Sequence, residues 1–471
     1  MTVTVAEKVR APVEAEAGCA HERGHIVDSS FYGHGYATDE SRRVFCDVCR
    51  FQRWLNVEAA LALAQGKLGI IPAGAAESIA ATAQVELIDL DAVRDEVLRS
   101  RHSLVGLLHA LQAACPGETG QYVHYGATTQ DIQDTAQSLE MRDVLDRLEL
   151  DLRGLVGGLA ELAEEHAATP AVGRTHARPA LPISFGLKVA SWVDELLRHA
   201  ERVEQARRRV LVAELFGGTG TLAGFGPPGR ELVRRFAARL GLAAPDVGWH
   251  TARDRVVEFV VTVAAVAGTA ARIADEIRSL SQPEFGEVEE SWTYGVVGSS
   301  TMPHKRNPER CEQVVVLAKL AAAQVGVALA GMGGDHERDS RALRVEWACV
   351  PDVSHYALAA CAILAGILDG LQVDVERMRR NLDAVADEVA SEALMLVLGE
   401  RLGKQSAHAL VYELSQTAFE ERRPLRELVR GRTELDEETL DRLFDPTRYL
   451  GESAALALGV VERARRWLAA A

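Results

Sequence analysis

The residues best suited to chemistry sit in a stretch too long for an ordinary loop. Gln282 to Pro308, about 27 residues, reads QPEFGEVEESWTYGVVGSSTMPHKRNP between two segments of helical patterning. Loops of that length inside compact domains are uncommon and are usually functional or disordered. This one closes on Ser299, Ser300, His304, Lys305, Arg306 and Asn307. Hydroxyls and amides beside cations are the material for holding an anion and stabilising negative charge as it develops. A solvated surface loop, its serine pair a plain turn before Pro303, would have the same composition. Thr128 and Thr129 with Asp131 form a second cluster, of N-cap type, and a helix N-terminus is itself an anion site. His124 lies four residues upstream; alone it reads as structural, as a lone histidine more often is. Cys46-x-x-Cys49 with Cys19, His21 and His25 offers metal-ligating types. That pair falls in an amphipathic helical pattern and the second pair lacks zinc spacing, so no metal centre is expected.

The elements that must carry these residues are helices. Phe259, Val263, Val266, Ala270, Ile273, Ile277 and Leu280 recur in alternating steps of four and three, a heptad seam within Val256–Leu280. The other faces of that segment are rich in Val and Ala, so several sides should be buried. Arg310–Ala330 repeats the theme, and Pro182–Leu215 does so with fewer apolar positions. Helices are also expected over Phe45–Leu68, Asp89–Ala114 and Thr135–Glu165. No alternating strand pattern runs longer than a few residues. The fold class read here is all-α, a bundle of long helices whose greasy faces need partners, other subunits included. Soft boundaries give a mobile tail over 1–24, then helical domains over 25–115, 116–368 and 369–471.

Composition narrows the partners. Aromatics make up only 5% of the 471 residues, so Ala, Val and Leu must fill the core, which favours close-packed helices. Lys and Arg number 52 against 68 Asp and Glu, a net charge of −16. Such a surface repels a polyanion, so nucleic acid is excluded as a partner, although a local cation cluster can still hold a small anion. Seven scattered cysteines read as reduced cytoplasmic thiols. No secretory signal is visible, and no run of 18 uninterrupted apolar residues suggests a membrane span.

Three segments carry a resemblance. Gly298-Ser-Ser-Thr-Met-Pro-His-Lys-Arg-Asn-Pro308 resembles the signature loop of the fumarase/aspartase superfamily. Gly126-Ala-Thr-Thr-Gln-Asp-Ile-Gln-Asp-Thr-Ala136 resembles its first substrate-binding region, and Gly173-Arg-Thr-His-Ala-Arg-Pro179 its second. The likeness covers nearly everything after about residue 28. It implies a homotetramer with a central bundle, and active sites built from three subunits. It also implies β-elimination from a succinyl group, releasing fumarate, with no cofactor.

By the same resemblance Ser299 matches the catalytic base, with Ser300 the alternative if the register is off by one. Lys305 and Asn307 match residues that grip a carboxylate; Thr128, Thr129 and Gln130 match donors to the carboxylates. Thr175 and His176 match the second region, where in amine-releasing branches the histidine protonates the leaving group. His124, His102 and Arg338 resemble active-site residues of the adenylosuccinate branch; alone, Arg338 reads as a surface ion pair.

The runs FCDVCRFQRWLNVEAALA and ALPISFGLKVASW look most like the 3-carboxy-cis,cis-muconate cycloisomerase branch, with adenylosuccinate lyase next. Against adenylosuccinate, His34-Gly35-Tyr36 and Trp347 stand where nucleotide-holding arginines are expected. Against the cycloisomerase, His176 stands where an apolar residue is usual. A lyase for a small 2-substituted succinate, such as nitrosuccinate, reconciles the two. The superfamily also includes structural lens crystallins, but the intact Ser299, Lys305, Asn307 and His176 argue for an enzyme.

Overall fold

The computed structural model describes residues 24–470, so the expected tail, Cys19 and His21 included, lies outside the described residues apart from Gly24. The described residues are mostly helical. Helices α1 (Asp39–Phe45), α2 (Asp47–Lys67), α3 (Ala73–Thr82), α4 (Leu90–Ser100) and α5 (Val105–Ala114) lead to the long α6 (Thr129–Glu165). The hairpin β1 (Pro170–Thr175) and β2 (Arg178–Ser184) precedes α7 (Phe185–Val210), α8 (Gly229–Leu240) and α9 (Asp254–Leu280). After the short β3 (Val288–Glu289) come α10 (Glu309–Ala330) and α11 (Ser340–Leu368), and then β4 (Gln372–Val373), which pairs with β3. Seven helices close the chain: α12 (Val375–Ala384), α13 (Ala386–Val389), α14 (Ser391–Leu402), α15 (Lys404–Glu421), α16 (Leu425–Arg432), α17 (Glu437–Leu443) and α18 (Ser453–Ala469).

The heptad seam is real: every one of its residues from Phe259 to Leu280 is buried. It forms the axis of a bundle in which α9 packs on α7, α10 and α11, while α6 packs on α7 and α11. A second core joins α2, α3 and α5 to the first turns of α6 and to residues 213–242; a third lies within α14–α17. Helix α18 returns to the central bundle, burying Ala457, Val461 and Ala464.

Three sequence expectations need correction. The stretch from Asp89 to Ala114 is two helices, because Arg101 takes a left-handed backbone (φ 56°) and caps α4. Residues 182–184 and 211–215 are not helical; the first three finish the hairpin, whose strands of six and seven residues carry no clean alternation of polar and apolar positions, and α7 ends at Val210. Cys46 does not lie inside a helix: its thiol caps α2 by accepting the Cys49 N–H.

By length and composition α9, α10 and α11 could each cross a membrane, yet here they pack together. Their burial is unequal. The most apolar window of α10 is 28% buried, against 61% for α9 and 67% for α11. Val316, Val327 and Leu329 on α10, and Val261 on α9, face outward.

Candidate active site

The first candidate region is the N-terminus of α6, which begins at Thr129, six residues before the start expected from periodicity. Asp131 makes that start possible. Its buried carboxylate accepts the N–H groups of Thr128 (2.9 Å), Phe216 (2.9 Å) and Gly217 (3.0 Å), and lies 2.9 Å from His250 Nε2. The preceding loop is tight. Gly126 has φ 75°, and a Cβ there would come within 2.9 Å of Phe225 and of the Gly224 carbonyl. His124 also holds a left-handed backbone, at φ 60°. Its Nδ1 lies 2.6 Å from buried Glu58 on α2. Burial works against a charge on His124, but the field and hydrogen bond of Glu58 win and raise its pKa.

Gln130 is fixed from beneath. Its Nε2 donates to Asp134 (3.0 Å) and to the His250 carbonyl (2.8 Å). Both amide hydrogens are spent, so Gln130 offers an acceptor oxygen, not the donor expected from sequence. Asp134 in turn is forked by Arg253 (2.8 and 2.9 Å), whose Nε also holds Glu346 at 2.7 Å. Gln137 donates to Glu346 (2.8 Å). Arg253 is 1% exposed, with Trp249 stacked 4.9 Å away. Burial, with the like charge of Asp134, pushes Glu214 up to about 9, so it is neutral at ordinary pH. Asp131, Glu214 and His250 lie close enough to suggest a metal cradle. The oxygens of Asp131 are already taken by backbone donors and His250, and a neutral Glu214 is a poor ligand, so the cluster reads as structural.

Above this network lies a cavity of about 690 Å³ that gathers His102, Thr129, Gln130 and Arg338. Arg338 donates to the Thr128 hydroxyl. His102 Nδ1 accepts the N–H groups of Leu104 and Val105 (3.3 Å each), so the neutral ring carries its proton on Nε2, which lies 3.5 Å from the Thr129 hydroxyl.

Thr175 and His176 stand elsewhere, at the exposed tip of the β1–β2 hairpin. His176 and Ala177 both have positive φ (51° and 61°), as a two-residue type I′ turn demands. Asn-Gly is the comfortable choice there, and each L-residue with a Cβ costs about 1–2 kcal/mol in this conformation. Strain of this kind collects at functional sites. The base of the turn is braced by Arg174, bidentate on Glu287 (2.6 and 3.1 Å) and stacked on Phe285.

The signature loop is a third piece. Gly298 is pinched so closely that a Cβ would meet the Lys305 carbonyl at 2.5 Å, and Asn307 clamps the same turn through Nδ2 to the Gly298 carbonyl (2.6 Å). Ser299 Oγ accepts the N–H groups of Met302 (3.0 Å) and Thr301 (3.4 Å). Those donors stabilise charge on the hydroxyl oxygen, the help a serine base needs. Lys305 is exposed beside it.

The first region does not meet the other two within one chain. Arg253, at the start of α9, holds Asp134 just below Gln130; Glu287, a few residues past its end, holds Arg174 beside Thr175. The 27 residues of α9 span roughly 40 Å, so the first region lies at the opposite end of the bundle from the hairpin and the root of the loop.

Residues 34–325 match the family described as Lyase, and residues 388–458 that described as adenylosuccinate lyase C-terminus. The chain is 40% identical to N-acetyl-S-(2-succino)cysteine lyase of Dickeya dadantii, over 91% of this chain and 95% of that one. It is 40% identical to 3-carboxy-cis,cis-muconate cycloisomerase of Pseudomonas aeruginosa, over 88% and 92%. The crystal structure of fumarate lyase from Mesorhizobium sp. BNC1 superposes with a TM-score of 0.85 at 36% identity, over 92% and 99%. This chain belongs to the fumarase/aspartase superfamily.

It is a lyase, and the geometry divides its labour. The cavity presents cations and hydroxyls in a preformed array; the loop presents a serine whose oxygen already accepts two N–H groups. Sequence reasoning missed Asp134, His250, Arg253 and Glu346, the buried polar groups that hold Gln130 and Asp131, and the neutral Glu214 beside them. No local pattern marks them: Glu214 and His250 lie outside the helices and Arg253 caps α9, so the network is visible only once its partners are known.

Proposed function

We propose that this lyase removes the 2-substituent of a succinate and leaves fumarate, at sites assembled from three copies of the chain. The observation that carries the reading is that the Thr128–Gln130 region stands the length of α9 away from the hairpin and the root of the Ser299 loop. None is complete alone. The outward apolar faces of α9 and α10 supply the contact that brings copies together. A homotetramer built on that bundle sets the Ser299 loop of one subunit against Thr128–Gln130 of a second and His176 of a third.

In the reaction Ser299 takes a proton from the carbon next to a carboxylate. The C–H electron pair becomes the new double bond, and the substituent departs with the electrons of its own bond. Lys305 and the Thr128–Thr129 hydroxyls hold the carboxylates as charge builds on them. His176 donates a hydrogen bond to the departing group.

Among 2-substituted succinates, nitrosuccinate is the reading we favour, with nitrite as leaving group. Trp347 supports a small substrate: it packs 6.3 Å from Trp54 and walls the cavity at a position where a nucleotide-holding arginine is expected. A thiol leaving group is the second reading, favoured by likeness to N-acetyl-S-(2-succino)cysteine lyase. Purified enzyme should be offered nitrosuccinate, S-(2-succino)cysteine, adenylosuccinate, argininosuccinate, aspartate and malate, with fumarate absorbance as readout, and the carboxymuconate, followed by loss of its own diene absorbance because lactone closure releases no fumarate. Fastest release from nitrosuccinate is expected. Efficient cleavage of adenylosuccinate would reject the small-substrate reading, and activity on the carboxymuconate alone would make it a cycloisomerase.

A further inference from the structure

The cavity over Gln130 has an unusual lining for so acidic a chain. Arg101, Arg338, Arg344 and His102 border it, and no Asp or Glu does. Over the whole chain acids outnumber Lys and Arg by 68 to 52, so a wall of cations without one acid is a local departure from the composition. The three arginines differ in what they hold. Arg338 is spent on Thr128, and nearby Arg341, outside the lining, is tied to Asp335 and Asp339. Arg101 and Arg344 have no side-chain hydrogen bond or ion pair among the described residues, whereas many other arginines of this chain are paired with a carboxylate. Two uncommitted guanidinium groups on one cavity repel each other, and an anion between them relieves that repulsion.

Both are mounted on firm supports. Arg101 caps α4, its N–H donating to the Val97 carbonyl at 2.8 Å. Arg344 sits early in α11, a 29-residue helix whose positive N-terminal end favours the same sign of ligand. The space is also larger than a succinate skeleton needs: about 690 Å³ lies within the range of pockets that take a ligand with a substantial substituent.

We infer that Arg101 and Arg344 form a subsite for a planar, two-oxygen anionic or nitro group carried by the 2-substituent of the substrate. A guanidinium presents parallel N–H groups that match two coplanar oxygens, whether of a nitro group or of a carboxylate. The subsite therefore selects the leaving group, while Thr128, Thr129 and Lys305 hold the part that becomes fumarate. This inference rests on the proposed elimination and deepens it.

The test compares three substrates: nitrosuccinate, the carboxylate-bearing thioether S-(2-succino)thioglycolate, and 2-(methylthio)succinate, whose substituent has no such oxygens. Fumarate release gives kcat/KM for wild type, Arg101→Gln and Arg344→Gln. Wild type should prefer one of the first two over the methylthio compound, and which one identifies the source of the two oxygens. Each substitution should lower kcat/KM for the preferred substrate by about 10- to 100-fold, the loss expected for a hydrogen bond to a charged group, and the methylthio compound by far less. Calorimetric binding of the same compounds to Ser299→Ala protein, with and without Arg344→Gln, reads the subsite independently of turnover. Fumarate from none of the three would defeat the proposed elimination, while the calorimetry would still decide the subsite. Equal losses on all three substrates, or binding indifferent to Arg344, would overturn the inference.

Discussion

The two ends of the bundle are built on opposite principles. At one end Thr128, Thr129 and Gln130 stand on a buried lattice of Asp131, Asp134, Arg253 and Glu346, each held by two or more partners. At the other, His176 stands exposed on a strained two-residue turn, and Ser299 lies in a loop with little regular structure. The first end is a finished wall, preorganised by charges that cannot move without leaving a partner unpaired in low dielectric. The second is two projections, each braced at its root, by Arg174 on Glu287 and by Asn307 on Gly298, and open at its tip. In the shared site proposed above, a wall from one copy meets projections from others.

The largest effect that can break this contrast is at Ser299. Ser299→Ala should lower turnover on the natural substrate by about 10⁴-fold while binding persists, and Ser300→Ala should be mild. The reverse order would move the base by one residue. His176→Ala should cost less than Ser299→Ala if nitrite leaves, since nitrite departs as an anion without a proton. Mixing Ser299→Ala and His176→Ala proteins under exchange conditions should raise fumarate release above the average of the two, because some shared sites then draw an intact Ser299 and an intact His176 from different chains. No recovery in mixed oligomers would end the shared-site reading.

Next comes the wall itself. Arg253→Met leaves Asp134 and Glu346 buried without their cation, and losing one member of such a set typically costs about 3–5 kcal/mol. Thermal denaturation should show a large drop in Tm, and any folded remainder should lose substrate affinity as Gln130 loses its fixed partner.

A smaller effect is expected at Glu214, whose carboxyl burial pushes up to about 9 from 4.5. Between those values the folded chain keeps a proton that the unfolded chain releases. The stability this group contributes is fully present below pH 4.5 and is lost progressively as pH rises toward 9. Glu214→Gln should flatten that slope, measured as unfolding free energy against pH; an unchanged slope would show the carboxyl to be ionised in the fold. The smallest change is Ala177→Gly. Relieving one positive φ should stabilise the hairpin by up to about 1–2 kcal/mol, and a fall in kcat alongside would show that the strain aims His176.

What could be read from the chain alone was what its local pattern encodes. The heptad seam of α9 appeared where expected, since periodicity is a property of neighbours three and four residues apart. The 282–308 loop announced itself by failing to continue that pattern. The hairpin did not, because β1 and β2 alternate poorly and their pairing is fixed by the turn and by α12 and α13 packing on them. The direction of Gln130 was equally invisible: its amide is aimed by a carbonyl 120 residues away, at His250. Sequence alone determined the long helices, their apolar faces and the residue types at each chemical station, because these follow from composition and spacing along one chain. Tertiary structure alone decided that the Thr128–Gln130 station stands roughly 40 Å from the other two and rests on buried ion pairs, because partners distant in sequence become neighbours only when the bundle closes.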